Sequence, residues 1–260
     1  MNILIVVPTL SSWEILPKLI NSLKNQSNKN WKVLFIDGNS SKAHENYLKK
    51  ICVHDKRFSF IKQKNDKGIF KAMNIGFKIA KKNEYLLFWG SDDMCIADNT
   101  INLLIKNIKI LSKKRLSTDF IICKSCFYSP SSKNSKRPNF SEIKNIKQIS
   151  SQRYRLSLFT GFSQAHQATI FGPKIRKIIQ NYSNSFELAA DLDYYLRVSK
   201  EKNIFITFLP QDIVLVGEGG ISSRKNILRI FEVLKAYYFS FGIFFIVPFI
   251  LRYLRRIPKV

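Results

Sequence analysis

The chain is poor in cysteine, in histidine and in negative charge. Four cysteines, Cys52, Cys95, Cys123 and Cys126, are spread through 260 residues, too few for a disulfide framework. That excludes the small stapled secreted folds and points to a reducing, cytosolic compartment. Cys123 and Cys126 have the spacing of a zinc or redox pair, but no second pair follows. They also lie in an apolar run, Phe120 to Phe127, that reads as a strand, where positions three apart point to opposite faces. No secretory leader is expected either, since Met1 runs straight into an apolar strand. Acids number 18 against 43 Lys and Arg, a formal net charge of +25. Such an excess favours an anionic partner: a membrane, a nucleic acid or a phosphate-rich substrate.

What the chain does have is a regular alternation of apolar strands and amphipathic helices. Asn2 to Val7 is an apolar strand ending at Pro8, and Leu16, Leu19, Ile20 and Leu23 recur at helical spacing. Trp31 to Ile36 reads as a second strand, Phe58 to Lys62 as a third and Tyr85 to Trp89 as a fourth. Phe70, Met73, Phe77 and Ala80 mark the buried face of a helix before the fourth. This order predicts an α/β fold with a parallel sheet. Residues 129–150 are polar and rich in turn formers, and read as an excursion between two halves.

Polar residues gather where the strands end: Pro8-Thr9, Asp37, Asp66 and Asp92-Asp93. In open parallel sheets this edge binds ligands. Two adjacent acids after a buried strand are costly unless a cation neutralises them; alternatively, Asp93 caps the helix that begins near Ala97. Asp37 before Gly38 also fits a simple turn, and Asp66 a simple helix cap. A further acidic cluster, Glu187 to Asp193, precedes a helical pattern at Leu192, Tyr195 and Leu196. Asp191 there reads either as a cap or as a chemical group, and Asp193 points elsewhere on the helix.

The motifs Val7-Pro8-Thr9, Phe35-Ile36-Asp37-Gly38-Asn39-Ser40, Asp66-Lys67-Gly68 with the helix to Gly76, and Ser91-Asp92-Asp93 resemble, in order, those of family 2 glycosyltransferases. The resemblance is closest to the short bacterial members that build polysaccharides and lipid-linked oligosaccharides. It continues through His166-Gln167-Ala168 and Ala189-Ala190-Asp191-Leu192-Asp193 to Gly219-Gly220-Ile221-Ser222, covering residues 2–223. It implies a GT-A (Rossmann-like) fold, a mostly parallel sheet flanked by helices, and inverting transfer from a nucleotide-sugar donor. It implies donor contacts at Pro8, Thr9, Asp37, Asp66, Gly68, Asn74, Ser91 and Asp92, with Asp93 as the better metal ligand beside Asp92. The cofactor implied is Mg2+ or Mn2+, bridging the donor phosphates. Asp191 would be the general base, and His166 and Gln167 would meet the acceptor or the diphosphate. The chain departs from the family at Lys71, where an acid is usual. The processive synthases' Gln-x-x-Arg-Trp motif is not matched by Gln152-Arg153-Tyr154, so one sugar per encounter is expected.

The expected organisation is a catalytic domain over 1–223 and an amphipathic helical tail over 224–260. Between Lys235 and Arg252 no residue is charged, and seven Phe and Tyr residues crowd the stretch. Ala236 to Leu251 falls short of the roughly 20 residues that span a bilayer and contains Gly242 and Pro248. Aromatic side chains flanked by Arg252, Arg255, Arg256 and Lys259 suit a helix lying in the headgroup layer, with a helix packed on the domain as the alternative. The partners expected are a nucleotide sugar, a glycan or polyprenyl-linked acceptor, and the anionic inner face of the plasma membrane, where the protein would be peripheral. A nucleotidyltransferase would want a Gly-rich basic loop after the first strand, which Pro8-Thr9-Leu10-Ser11-Ser12 is not. A nucleic-acid-binding protein would want basic and aromatic residues interleaved on one face, and no such module is present.

Overall fold

The computed structural model describes residues 1–65, 68–128, 143–217 and 226–255, and the backbone of 136–138. Ten strands form one mixed sheet. They are β1 (Asn2–Thr9), β2 (Trp31–Asp37), β3 (Phe58–Lys62), β4 (Glu84–Phe88), β5 (Met94–Cys95), β6 (Phe120–Tyr128), β7 (Lys136–Pro138), β8 (Lys147–Ser150), β9 (Thr169–Phe171) and β10 (Phe205–Gly217). The order is β3-β2-β1-β4-β9-β6-β10-β5, with β7 on β6 and β8 on β10. The first four strands are parallel to one another, β6 and β10 are parallel, and β9 runs antiparallel between β4 and β6. The expected polar excursion therefore contains two short strands, β7 and β8.

The helices are α1 (Leu16–Lys24), α2 (Lys42–His54), α3 (Ile69–Ile79), α4 (Thr100–Lys113), α5 (Ser151–Phe159), α6 (Pro173–Ile178), α7 (Ala190–Val198), α8 (Asn226–Phe241) and α9 (Ile246–Leu254). Because side chains alternate along a strand, each central strand feeds two cores. Leu4 and Val6 join the core shared with α3, α5, α7 and α8. Ile3, Ile5 and Val7 join the one shared with α1, α2 and α4. That is why these strands read as unbroken apolar runs. In the first core an aromatic cluster ties α3, β4, β9 and α7 together. Phe77 lies 5.0 Å from Phe88, 5.6 Å from Phe171 and 5.7 Å from Tyr194, centroid to centroid.

The C-terminal helices are not a detached tail. Val233, Ala236 and Tyr237 of α8 are core residues, and Phe241, Phe245 and Phe249 pack against the same core. Arg155 of α5 donates to the Ser240 carbonyl at 2.6 Å and to its hydroxyl at 3.0 Å. Gly242, at φ +57°, interrupts the helix, and a 3-10 turn over Gly242–Phe245 leads into α9. The opposite face is open: Ile227 is 74 % exposed, Phe231 65 % and Ile243 81 %.

Candidate active site

The site lies where β1, β2 and β4 end in parallel. The three neighbouring strand ends deliver Thr9, Asp37 and, just past Trp89, the Gly90-Ser91-Asp92-Asp93 turn. Serines knit the ends together. The Ser91 hydroxyl donates to the Pro8 carbonyl at 3.2 Å, and the Ser12 hydroxyl donates to Ser91 at 2.9 Å. Thus Pro8 and Ser91, two expected donor residues, are brought into direct contact.

Asp37 is fully buried. Its carboxylate accepts the Ser40 backbone N–H at 3.2 Å and the Ser40 hydroxyl. His44 of α2 approaches it to 3.7 Å and bonds Thr9 Oγ1 at 3.1 Å. Burial lowers the His44 pKa, against the opposing pull of Asp37. Asp37 therefore organises the loop under the donor edge, with its carboxylate closed off from solvent. His44 was not legible as part of this group, because a lone His on a helix carries no motif.

Asp92 and Asp93 are adjacent in sequence and differ in environment. Asp93 is 1 % exposed. Its Oδ2 accepts the Gly90 N–H at 2.6 Å and its Oδ1 the Gly217 N–H at 3.3 Å. The Gln167 side chain also bonds it, while burial and the neighbouring Asp92 raise its pKa to about 7. Asp92 is half-buried and burial raises its pKa. Its carboxylate packs on Gly217, where a Cβ would come within 2.3 Å of Asp92 Oδ2; only glycine permits that approach. Neither acid has a cationic partner among the described residues.

Two adjacent acids, both with raised pKa values and without a counter-charge, form a donor set that suits a hard divalent cation. Among the described residues no group of three or more Asp, Glu, His or Cys could hold a metal. Asp93 accepts a backbone amide at each of its oxygens, so Asp92 presents the more open carboxylate.

The 3-10 turn His166–Ala168 leads into β9 and packs against β4, β6 and β10. The Trp89 indole N–H donates to the Gln167 carbonyl at 2.9 Å. His166 is part-exposed; burial lowers its pKa and Asp191 raises it. Asp191 sits one residue inside α7, and Ala189 is the N-cap. It is not the N-cap residue, but its Oδ1 accepts the first-turn Leu192 N–H at 2.7 Å, which leaves Oδ2 without a protein hydrogen bond among the described residues. Asp193 faces away, paired with Arg197 Nε at 2.8 Å.

Asn74 is bound elsewhere. It donates to the Tyr182 carbonyl at 2.9 Å and accepts the Tyr182 N–H at 2.7 Å, which pins the segment before α7 onto α3. Gly68 is the N-cap of α3 with φ +88°, a left-handed conformation that glycine takes without strain. Lys71 is exposed. Asp66, and the Gly219-Gly220-Ile221-Ser222 motif, lie outside the described residues. Cys123 and Cys126 are free thiols.

Glycosyl transferase family 2 matches residues 4–170 of the chain. No curated protein matches it in sequence. Among solved structures, S. aureus TarS 1–349 in complex with UDP-GlcNAc is similar at 17 % identity and TM-score 0.67, over 93 % of this chain and 68 % of that one. A longer TarS structure aligns with 98 % of this chain but only 44 % of its own length, at 16 % identity and TM-score 0.68. The mannosyltransferase PcManGT from Pyrobaculum calidifontis, in complex with GDP-Man and Mn2+, is similar at 12 % identity and TM-score 0.65, over 97 % of this chain and 69 % of that one. These likenesses place the sheet and helices in the GT-A fold. The family match, which runs from β1 through the strand-end acids to β9, establishes that the chain belongs to glycosyl transferase family 2, enzymes that transfer a sugar from a nucleotide-sugar donor.

Proposed function

We propose that the chain carries out inverting, metal-dependent transfer of a single sugar to a glycan or polyprenyl-linked acceptor in bacterial surface-polysaccharide synthesis. The observation that carries this reading is Asp92: half-buried, uncompensated among the described residues, and placed at the end of β4. Asp92 would hold Mg2+ or Mn2+, which, when bound, supplies charge stabilisation for the departing nucleoside diphosphate. PcManGT was crystallised with Mn2+ and its donor, and that pairing supports the same use here. Asp93 keeps Asp92 in place by holding the Gly90 and Gly217 amides on either side of it. Pro8, Thr9 and Ser91 line the donor edge, with Asp37 beneath them. Asp191 takes the proton from the acceptor hydroxyl. Its Oδ1 is held by the Leu192 N–H, which orients the carboxylate and leaves Oδ2 to take the proton. His166, between Asp191 and Gln167, is suited to the acceptor or the diphosphate.

The acceptor class rests on α8 and α9. The run Asn226–Leu254 is 29 residues long and apolar enough to cross a membrane by length and composition, with only 22 % of its apolar window buried. The break at Gly242 and the core contacts of Val233, Ala236 and Tyr237 favour a helix pair lying on the bilayer over one crossing it. Ile227, Phe231, Ile243 and Phe244 would enter the acyl boundary, and Arg229, Arg252 and Arg255 would meet anionic headgroups. An enzyme held on the inner face of the plasma membrane meets a lipid-linked acceptor where that acceptor is confined.

The test is thermal stabilisation by nucleotide sugars, with UDP-GlcNAc and GDP-mannose first, with and without Mn2+. Metal-dependent stabilisation by one of them is expected. Equal stabilisation in chelator would overturn the metal reading.

A further inference from the structure

The segment leading into α7 lacks an acceptor of its own. Its residues from Leu188 to Ala190 are aliphatic, and the N-cap, Ala189, has no side-chain oxygen. Helix entries leave backbone N–H groups without partners, and these bind anions well. Here the anion comes from another helix. Glu232 of α8 is 8 % exposed. Its Oε1 accepts the Glu187 N–H at 2.7 Å, and its Oε2 accepts the Leu188 N–H at 2.7 Å and the Ala189 N–H at 2.9 Å. One turn on, Lys235 donates to the Ser185 carbonyl at 3.1 Å. The same helix face thus grips four residues of the segment that ends two residues before Asp191.

We propose that Glu232 is a positioning residue for Asp191: by taking the three amides at the entry of α7, it fixes that helix and leaves Asp191, whose Oδ1 accepts only its neighbour's N–H, with Oδ2 to act on the acceptor. The inference rests on the reading of Asp191 as base. Without Glu232, two buried amides, at Leu188 and Ala189, and the part-buried one at Glu187 would lose their acceptor. The acids nearest in sequence are Glu187, an exposed residue, and Asp191 and Asp193 in the first turn of α7. Asp193 is held by Arg197, so Asp191 is the one drawn back to cap. Glu232 is the sole acid in a basic, aromatic stretch, and its neighbour Phe231 is 65 % exposed. An acid is retained there on the buried side only.

The experiment compares wild type, Glu232→Gln, Val233→Ala and Asp191→Asn in the full chain. The substrate is whichever of UDP-GlcNAc and GDP-mannose stabilises the protein, and the readout is release of nucleoside diphosphate with Mn2+. Gln preserves shape but turns an NH2 group toward amides that need an acceptor. Val233→Ala opens a cavity on the same helix without touching those amides, and serves as the matched control for lost stability. The expected result is a kcat lower by about ten- to a hundredfold in Glu232→Gln, with donor KM within about twofold. Amide hydrogen exchange should quicken at residues 187–189, and Val233→Ala should keep wild-type kcat per folded molecule. The proposal is overturned if Glu232→Gln turns over as wild type, if exchange at 187–189 is unchanged, or if Val233→Ala loses kcat equally at the same folded fraction. Asp191→Asn separates the two readings. Full turnover in that variant sinks the base assignment itself, whereas its loss beside a fully active Glu232→Gln sinks only the positioning role.

Discussion

The turn after β4 and the segment before α7 solve one problem in two ways. In the proposed mechanism each presents a carboxylate for chemistry, Asp92 in the first and Asp191 in the second. Each also has a second, buried carboxylate that accepts backbone amides and leaves the first one free. In the β4 turn that partner is the next residue, Asp93, bound to Gly90 and Gly217. At α7 it is Glu232, 45 residues from the Glu187 amide it accepts. The difference teaches where to look for the support of an active site. A turn only four residues long can carry its own anchor. A helix entry built from Leu and Ala cannot, and depends on whatever the fold packs beside it.

The largest effect should separate Asp92 from Asp93. Asp92→Asn should abolish Mn2+-dependent nucleotide binding and lower turnover by about a thousandfold, with melting temperature unchanged or higher, because an uncompensated half-buried charge is removed. Asp93→Asn should instead destabilise the fold by about 1–3 kcal/mol through a mismatched buried amide. Chemical denaturation and Mn2+ titration of both variants decide the matter; a normal Mn2+ response in Asp92→Asn would show that the ranking of the two acids is wrong. The pair also carries a pH signature. The folded-state pKa of Asp93 is about 7, above its ordinary value, so the folded protein holds that proton more tightly than the unfolded one. Its contribution to stability is therefore present at low pH and lost as pH rises through 7. Since a proton and a cation compete for the pair, Mn2+ should raise the melting temperature more at pH 8 than at pH 6.

Next in size is Asp191→Asn, which should keep donor affinity and lose turnover by about a hundredfold. Because the Asn side-chain carbonyl can still accept the Leu192 N–H, the melting temperature should hardly move. A variant that loses stability but turns over normally per folded molecule would remove the chemical role from this half of the comparison.

The first half of the comparison was legible in the sequence and the second was not. β1, β2 and β4 announce themselves as apolar runs because they are buried on both faces, and their ends carry polar residues one after another in the chain. Asp37 and Asp92-Asp93 could therefore be picked out as a set. Their individual roles could not, since which acid turns inward depends on the Gly217 amide, more than a hundred residues away. Asp191 was legible from its motif, but Glu232 stood out only as one acid among cations. Its meaning came from α8 packing beside α7, a tertiary contact with no local pattern. The same contact makes the basic, aromatic segment part of the core rather than a removable tail. Truncation after Arg229 would expose the buried sites of Val233, Ala236 and Tyr237 and is expected to unfold the domain, so it cannot test membrane binding.

Surface substitutions can. Ile227→Ser, Phe231→Ser and Phe244→Ser together alter three exposed side chains of the open face. They should leave the melting temperature and donor binding in place while lowering sedimentation with anionic vesicles by about tenfold, as expected for the loss of inserted apolar area. Wild-type binding should weaken in high salt and persist in part, since the apolar contribution is not screened. An unchanged vesicle affinity in the triple variant would leave the open face without a membrane role, while the anchoring of α7 by Glu232 would stand.

The smallest effect concerns a third tether of the α7 segment, at its far end. Asn74 was expected from its motif position to serve the donor, yet its amide is bonded at both ends to the Tyr182 backbone. Asn74→Ala leaves one part-buried N–H and one carbonyl without those partners, at a cost of about 1–3 kcal/mol. If Asn74 touches the donor, KM should rise as well. If its role is to pin the segment, stability should fall, donor KM should hold and kcat should drop only by a few-fold, because Glu232 and Lys235 still grip the residues next to Asp191. Urea denaturation gives the first quantity and initial rates against donor concentration give the other two. A KM increase without loss of stability would return Asn74 to the donor site and break the comparison, in which the anchoring carboxylate of the α7 segment comes from another helix and that of the β4 turn from the turn itself.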